Sequence, residues 1–369
     1  MSIVRHRIRC VSVTRSITLQ KEHGPFAVVL AASIFLWSCG NQPARAQIEP
    51  LASLAPGIRA YQVAETAQDP SPRASAGKLY VTSWFGGRIS VIDVSTRQVL
   101  KEIPVGIQDH NVALNPSQRQ AWVTNNNDGT VSIIDLASDE VVATLKTGHG
   151  PRHTSFSPDG KIAYVTNEYD NTVSVIDPTA LRVTGTMHVG HMPHFPLVAG
   201  TRLFVSNNGS GEVTVIDRST GRTLAMVTVG LGPLGEGALK DGSRVYVACH
   251  ASNHVAVIDG RTLQVLARIK TEPGPVQVSV APNQTDAYVA CDGRGSVQKI
   301  DLATNRVVKT LSLGSEAGSH GVSFSADGEL LFVTNTGSGT VSVIDTASEE
   351  LVGTVRVAPA PEGIAYKKP

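Results

Sequence analysis

A thirteen-residue pattern recurs seven times along this chain of 369 residues and limits what it can fold into. In the clearest copy, Val123-Thr-Asn-Asn-Asn-Asp-Gly-Thr-Val-Ser-Ile-Ile-Asp135, a β-branched run ends in Val-Thr-Asn, a polar turn follows, and a second run ends in Ile-Asp. The other copies cover 81–93, 165–177, 205–217, 247–259, 289–301 and 333–345. Their closing aspartates follow one another at intervals of 42, 42, 40, 42, 42 and 44 residues. A period in the low forties with several short strands per unit is typical of a β-propeller.

Each unit contains four candidate strands, which is the content of one propeller blade. In one unit they cover 153–157, 162–166, 173–176 and 182–187, and Gly, Pro, Asn and Asp fill the turns between them. No long apolar stripe at helical spacing occurs after residue 50. One small sheet cannot bury both its faces, so the sheets must stack, and a closed ring leaves few open edges. The sequence therefore predicts an all-β, seven-bladed β-propeller of four-stranded antiparallel blades.

The two ends of the repeat region complement each other. The first unit begins at Gly77 without a clear strand before it, whereas the last unit is followed by Pro361-Glu-Gly-Ile-Ala-Tyr366. This tail resembles the start of the other units, such as Pro275-Val-Gln-Val-Ser-Val280. We therefore expect the C-terminal strand to become the innermost strand of the first blade and to close the ring. The propeller would then cover residues 77–369.

The repeated motif also carries a family resemblance. Tyr164-Val-Thr-Asn167 followed by Val173-Ser-Val-Ile-Asp177 resembles the YVTN-type β-propeller repeat of secreted bacterial and archaeal proteins. The resemblance covers about four-fifths of the chain. It implies the seven-bladed fold strongly and function weakly, because its relatives include surface-layer proteins, periplasmic proteins of unsettled role, and propeller subunits of quinone and haem enzymes.

Residues 1–46 have the pattern of a signal peptide. Basic residues dominate the first 25 positions, and 26–37 is a mostly apolar run too short to span a bilayer. Cleavage after Ala44-Arg-Ala46 would release a soluble protein, whereas Leu36-Trp-Ser-Cys39 resembles a lipobox that would lipidate Cys39. A disordered cytosolic tail is the third interpretation. Residues 47–76 are interpreted as a tether, and both export routes predict a periplasmic or secreted protein.

Composition limits the kinds of partner that this protein can bind, and the two cysteines of the repeat region allow two arrangements. Charged residues make up 17% of the chain and the formal net charge is +1, so no basic excess points to nucleic acid. We expect a monomer that contacts a membrane only through a lipid on Cys39. Cys249 and Cys291 occupy the same slot of consecutive units, so they form either a bridge between blades or two buried free thiols.

Aligning the units on their first residues predicts which side chains line one mouth of the central channel. The predicted ligand-binding residues at this mouth are His110, Asn111, Arg152, His153, His194, Glu236, Gln277, His320 and Glu362. The four histidines among them are candidate ligands of a transition metal, which imidazole binds well. Eight of the nine histidines outside the signal peptide fall in segments assigned to this end, with His188 as the exception. Polar side chains beside a watery channel can also be purely structural.

Three aromatic residues in the same set of turns are candidate interface residues. Trp84 and Phe85 lie in the turn of the first unit, and Tyr169 lies in that of the third. Exposed aromatics at loop tips often anchor protein partners. The alternative is that they fold back onto their blades.

The sequence favours a binding or scaffold protein that uses the histidine-rich mouth for a protein partner or a small ligand. No Gly-x-Ser-x-Gly elbow, phosphate loop or HExxH motif occurs. One alternative is a periplasmic redox subunit associated with a metal, a haem or a quinone. Another is a lactonase- or lyase-type enzyme, because other seven-bladed propellers carry such chemistry at the channel entrance. A transition metal is the candidate cofactor.

Overall fold

The computed structural model describes residues 76–369, which form a seven-bladed β-propeller. The predicted signal peptide, the lipidation site at Cys39 and nearly all of the tether fall on residues 1–75, outside the described residues. Two short 3-10 turns, His250–Ser252 and Asp292–Arg294, are the only helical elements within the described range. No helix in this range has the length and hydropathy needed to cross a membrane.

Every blade is a four-stranded antiparallel sheet, described from the channel outward as inner, second, third and outer strand. Blade 1 consists of β28 (Pro361–Lys367), β1 (Lys78–Ser83), β2 (Arg88–Asp93) and β3 (Gln98–Pro104), and blade 2 consists of β4 (Asp109–Leu114), β5 (Gln120–Asn125), β6 (Thr130–Asp135) and β7 (Glu140–Lys146). Blade 3 consists of β8 (Pro151–Phe156), β9 (Ala163–Asn167), β10 (Thr172–Asp177) and β11 (Arg182–His188), and blade 4 consists of β12 (Pro193–Ala199), β13 (Arg202–Asn207), β14 (Glu212–Asp217) and β15 (Thr223–Thr228).

The remaining three blades repeat the arrangement. Blade 5 consists of β16 (Pro233–Ala238), β17 (Arg244–Cys249), β18 (His254–Asp259) and β19 (Val265–Lys270). Blade 6 consists of β20 (Pro275–Val280), β21 (Asp286–Cys291), β22 (Ser296–Asp301) and β23 (Arg306–Ser312). Blade 7 consists of β24 (Ser319–Phe324), β25 (Leu330–Asn335), β26 (Thr340–Asp345) and β27 (Glu350–Arg356). The predicted strand limits are correct to within two residues. The inner strand β8 begins at Pro151 rather than at His153, because proline is tolerated at the first position of an edge strand.

The C-terminal strand closes the ring, as the sequence predicts. β28 pairs antiparallel with β1 in a register that joins Tyr80 to Ala365. Ile364 of β28 is buried in the same apolar cluster as Leu79 of β1 and Phe332 of β25. Both ends of the propeller are therefore held in blade 1.

The core consists of seven apolar layers, one between each pair of neighbouring blades. Second and third strands are buried on both faces because each lies between two sheets. Alternate residues of β17 show the pattern: Val245 and Val247 face blade 4, whereas Tyr246 and Ala248 face blade 6. The outer strands face solvent and are largely exposed.

Cys249 and Cys291 are free thiols, and both are fully buried. They lie in different layers, Cys249 between blades 4 and 5 and Cys291 between blades 5 and 6. Burial raises the pKa of each thiol to about 12, so neither is a thiolate at neutral pH. Of the two sequence-based interpretations, the structure shows the buried free thiols.

The aspartate that ends each third strand caps the turn that follows. Asp93 Oδ1 accepts a hydrogen bond from the backbone N–H of Thr96 at 2.7 Å. The equivalent bond, from the backbone N–H three residues later, is present for all seven aspartates, Asp93, Asp135, Asp177, Asp217, Asp259, Asp301 and Asp345. These repeated acids are structural turn residues.

Candidate functional site

One residue in the left-handed conformation brings each inner strand to the channel mouth. It stands directly before the inner strand, and its carbonyl accepts a hydrogen bond from the first residue of the turn between the second and third strands. These residues, with φ between 52° and 72°, are Gln108, Gly150, Met192, Gly232, Gly274, Gly318 and Ala360. The bond fixes the start of the inner strand beside that turn in every blade. We call the end of the ring formed by these segments the mouth face.

In five of the seven blades, the hydroxyl side chain at the threonine position of the repeated Val-Thr-Asn motif ties the inner strand to the inner strand of the next blade. In blade 3 the Thr166 hydroxyl accepts a hydrogen bond from the His153 N–H at 3.1 Å and donates one to the His194 carbonyl at 2.7 Å. Equivalent hydroxyl bridges involve Thr82, Thr124, Ser206 and Thr334. Ala248 and Ala290 fill this slot in blades 5 and 6. The motif therefore positions the backbone on which the mouth residues stand.

Three imidazoles from consecutive blades converge at the mouth. The ring centroids of His110, His153 and His194 are 4.9, 5.3 and 4.7 Å apart, and all three residues are buried. One ring nitrogen from each lies within 4.8 Å of the others. Tetrahedral coordination with metal–nitrogen bonds of about 2.0–2.1 Å places ligand nitrogens about 3.4 Å apart. The ring nitrogens therefore need to approach one another by up to about 1.4 Å to hold one ion. The fourth predicted ligand, His320, stands 6.2 Å from His110 and outside this triad.

The ring nitrogens of the triad are largely unpaired. Both nitrogens of His153 and Nδ1 of His194 are buried without a hydrogen-bond partner among the described residues. In His110, Nδ1 lies 3.2 Å from the Arg152 carbonyl, so Nδ1 carries the proton and Nε2 is free to act as a ligand. Buried polar atoms in folded proteins are rarely left without a partner, so these atoms point to a bound group.

Electrostatics keep the cluster uncharged. Burial lowers the pKa of His110, His153 and His194 well below the usual range, and the neighbouring Arg152 guanidinium lowers each further. Burial also lowers the pKa of His320 to about 4. Neutral imidazole is the form that binds a metal ion.

Two carboxyl groups face the same cavity. Glu236 is buried with both oxygens unpaired among the described residues, and burial raises its pKa well above the usual range. Burial raises the pKa of Glu362 to about 8, against the opposing effect of Arg152. Glu362 Oε2 lies 3.6 Å from His110 Nε2. Both carboxyl groups can therefore hold a proton beside the imidazoles at neutral pH.

Seven of the nine predicted mouth residues line one cavity of about 240 Å³. Its lining includes His110, Asn111, His153, Glu236, Gln277, His320 and Glu362. His194 packs behind this lining against the other two imidazoles, and Arg152 lies at the rim. Phe195 and Ser279 also line the cavity and were not predicted from the sequence. Asp109, a buried acid in a slot that is proline in most units, was not predicted either, and only its difference from proline could have indicated it.

The three aromatic residues predicted at the interface separate into two groups. Trp84 folds over the mouth, with its ring 5.5 Å from His110 and under the Arg152 guanidinium at 5.3 Å. Phe85 and Tyr169 stand free, 77% and 64% exposed. Trp84 thus belongs to the site, whereas Phe85 and Tyr169 remain available to a partner.

The one-sided distribution of histidine is more complete than the sequence indicated. His188, the predicted exception, is the last residue of the outer strand β11 and pairs with Thr172 at the start of β10. Because β10 starts at the mouth face, His188 lies at that end too. All nine histidines of the described residues are therefore at one end of the ring.

Two family models match the chain, and they overlap in blade 5. Residues 78–264 match the model described as lactonase, seven-bladed β-propeller. Residues 240–364 match the cytochrome D1 heme domain. The imidazole triad and Glu236 fall in the first match, and Gln277, His320 and Glu362 fall in the second. No curated protein matches the chain by sequence.

Solved structures share the fold at low sequence identity. Hydrazine synthase of Kuenenia stuttgartiensis is 18% identical with a TM-score of 0.63, and the match covers 69% of this chain and 88% of that one. A functionally unknown protein from Desulfotomaculum acetoxidans is 17% identical with a TM-score of 0.70, covering 80% and 100%. Dihydro-heme d1 dehydrogenase NirN, solved in complex with DHE, is 16% identical with a TM-score of 0.61, covering 80% and 77%. Since the first family model spans just over half of the chain and the structure has seven blades, the chain belongs to the lactonase-type seven-bladed β-propeller family.

Proposed function

We propose that this chain is a periplasmic metalloprotein that binds one transition-metal ion through His110, His153 and His194 and acts on a small molecule in the adjoining cavity. The convergence of three buried, largely unpaired imidazoles carries the proposal. Three histidines with an open fourth position are a common catalytic metal set, and imidazole suits Zn²⁺, Cu²⁺ and Fe²⁺. The haem and redox propellers among the comparisons support a periplasmic redox role.

The cavity explains what such an ion would do. His110, His153 and His194 would hold the ion, and an ion there would polarise a molecule bound in the adjoining cavity or exchange electrons with it. Glu236 and Glu362 would supply or accept protons there, because both carboxyl groups face the cavity. A redox-inert ion such as Zn²⁺ in the native protein would favour hydrolysis, as the lactonase model suggests, whereas copper or iron would favour redox chemistry.

A haem at the mouth is the second candidate, supported by the match to the cytochrome D1 heme domain. The cavity of about 240 Å³ is smaller than the sites of about 300–1,000 Å³ that bury drug-sized ligands. A porphyrin would therefore have to lie over the mouth, where Trp84 and Arg152 stand. The residues fit a single ion better than a haem.

The proposal also covers the repeat type and the surface that binds a protein partner. We assign the blades to the YVTN repeat type, because the threonine of that motif carries the bridges between inner strands. Phe85 and Tyr169 would contact a protein partner that docks on the mouth face.

Metal binding tests the proposal directly. Protein treated with a chelator should take up one equivalent of Co²⁺, with visible absorption bands of a nitrogen-ligated site, and Zn²⁺ should displace it. His153→Ala should abolish uptake while circular dichroism shows an intact fold. His188→Ala, which removes an exposed imidazole from an outer strand, should bind like the wild type. Folded wild-type protein that takes up no stoichiometric Co²⁺ or Zn²⁺ would refute the metal site. A Soret shift on adding haem would support the haem candidate instead.

A further inference from the structure

Arg152 is fixed at the rim of the histidine site by its backbone. It is the second residue of β8 and directly precedes His153. Its carbonyl accepts hydrogen bonds from the Thr124 hydroxyl at 2.6 Å and from His110 Nδ1 at 3.2 Å. Two neighbouring strands of blade 2 therefore hold this residue beside the imidazole triad.

The guanidinium group of Arg152 is held as firmly as its backbone. Nε donates a hydrogen bond to Glu168 Oε2 at 2.5 Å, and the group lies over the Trp84 ring at 5.3 Å. The Glu168 side chain is only 4% exposed, and that of Arg152 is 18% exposed. These contacts fix the orientation of the guanidinium plane, so most of the rotamer entropy of the side chain is lost before any ligand arrives.

The ion pair between Arg152 and Glu168 does not use the two terminal nitrogens of the guanidinium group. Nη1 and Nη2 of Arg152 have no hydrogen-bond partner among the described residues, since the bond to Glu168 uses Nε. The guanidinium lies over the Trp84 ring at 5.3 Å, and that ring lies 5.5 Å from the His110 ring, so the group stands at the mouth beside the imidazole triad. A planar fork of free N–H donors beside a small cavity is suited to a carboxylate or another planar oxyanion.

We propose that Arg152 is the anion-binding residue of this site and that the substrate is a small carboxylate or oxyanion held between the metal ion and the two terminal nitrogens of Arg152. The inference rests on the proposed metal function and names its substrate class. The cavity of about 240 Å³ restricts the substrate to a few non-hydrogen atoms beyond its anionic group.

Anion titration of the Co²⁺-loaded protein tests this inference with formate, acetate and nitrate as probes. Each anion should shift the visible bands of the wild type in a saturable way. Arg152→Gln should weaken binding by about tenfold to a hundredfold, because one charge-assisted pair contributes about 1.5–3 kcal/mol. Arg152→Lys, which keeps the charge but not the fork, should fall between the two. Arg294→Gln, at an exposed arginine of the mouth face, should bind anions like the wild type.

The outcomes separate the two proposals. Failure of the wild type to bind Co²⁺ overturns the metal site, and the anion inference with it. Normal Co²⁺ uptake with no response to any anion overturns the anion inference alone. The anion inference is also overturned if Arg152→Gln binds both Co²⁺ and anions like the wild type but melts at a lower temperature. Arg152 would then only tie Trp84 to Glu168.

Discussion

Thr166→Val tests whether the hydroxyl bridges hold the mouth together. The substitution keeps the shape of a side chain that is fully buried and removes only the hydroxyl. The His153 N–H would lose its acceptor at 3.1 Å, and the His194 carbonyl would lose its donor at 2.7 Å. His153 lies in the irregular part of the β8–β9 pairing, between Pro151 and Thr154, so the strand ladder offers its N–H no replacement.

The magnitude follows from the number of groups left unpaired. Each buried donor or acceptor that loses its partner costs about 1–3 kcal/mol, and two groups are affected, so Thr166→Val should lower the free energy of unfolding by about 2–6 kcal/mol. Urea denaturation of the metal-free protein, followed by tryptophan fluorescence, measures this change as a lower midpoint at unchanged slope.

A matched control separates the bridge from the loss of a hydroxyl in general. Thr354 on the outer strand β27 is exposed, so Thr354→Val should change stability by less than about 0.5 kcal/mol. The reasoning would be refuted if Thr166→Val were as mild as this control.

Three further predictions concern closure, backbone conformation and pH. Truncation before Pro359 removes β28 and should abolish cooperative folding or lower the melting temperature of the whole propeller; a truncated protein that melts like the full chain would contradict the closure. Met192→Gly should stabilise by up to about 1 kcal/mol in thermal melts, because φ is 52° there, whereas Gly150→Ala should destabilise, with φ at 66°. The hydrogen bond that His250 Nε2 donates to the Asp292 carboxylate raises the pKa of His250, so their pair stabilises fully below the ordinary histidine value near 6.5 and loses this contribution as pH rises through the folded value. His250→Gln should remove that part of the pH dependence of unfolding, and an unchanged profile would contradict it.

The sequence predicted much of the site as well as the fold, because the repeat places equivalent residues at equivalent heights. Pro151 begins its inner strand opposite Asn167, and Asp109 and Ser319 begin theirs opposite Asn125 and Asn335. The units that lack the initial proline therefore align with the others at the same position. The unpaired state of the triad nitrogens could not be predicted. It depends on where neighbouring carbonyls and hydroxyls lie, and no local pattern records those distances.

The contact between Trp84 and Arg152 could not be predicted from the repeat. Each occupies a slot that other blades fill differently, and their contact joins the turn of blade 1 to the inner strand of blade 3. Residues 68 positions apart in sequence meet only because the ring brings three blades to one opening. The sequence left open whether this aromatic is exposed or folds back onto its blade, and the structure shows a side chain folded over the histidines.

By itself, the sequence determined the number of blades, the strand order within them, the closure by the C-terminal strand and the end of the ring that carries the histidines. All of these follow from local periodicity and turn chemistry, which the chain repeats at a nearly fixed interval. Only the tertiary structure decided that three of the four candidate imidazoles form one cluster, that two carboxyl groups face it, and that an arginine stands over its rim. Those relations join different blades, and their distances depend on the curvature of the closed ring.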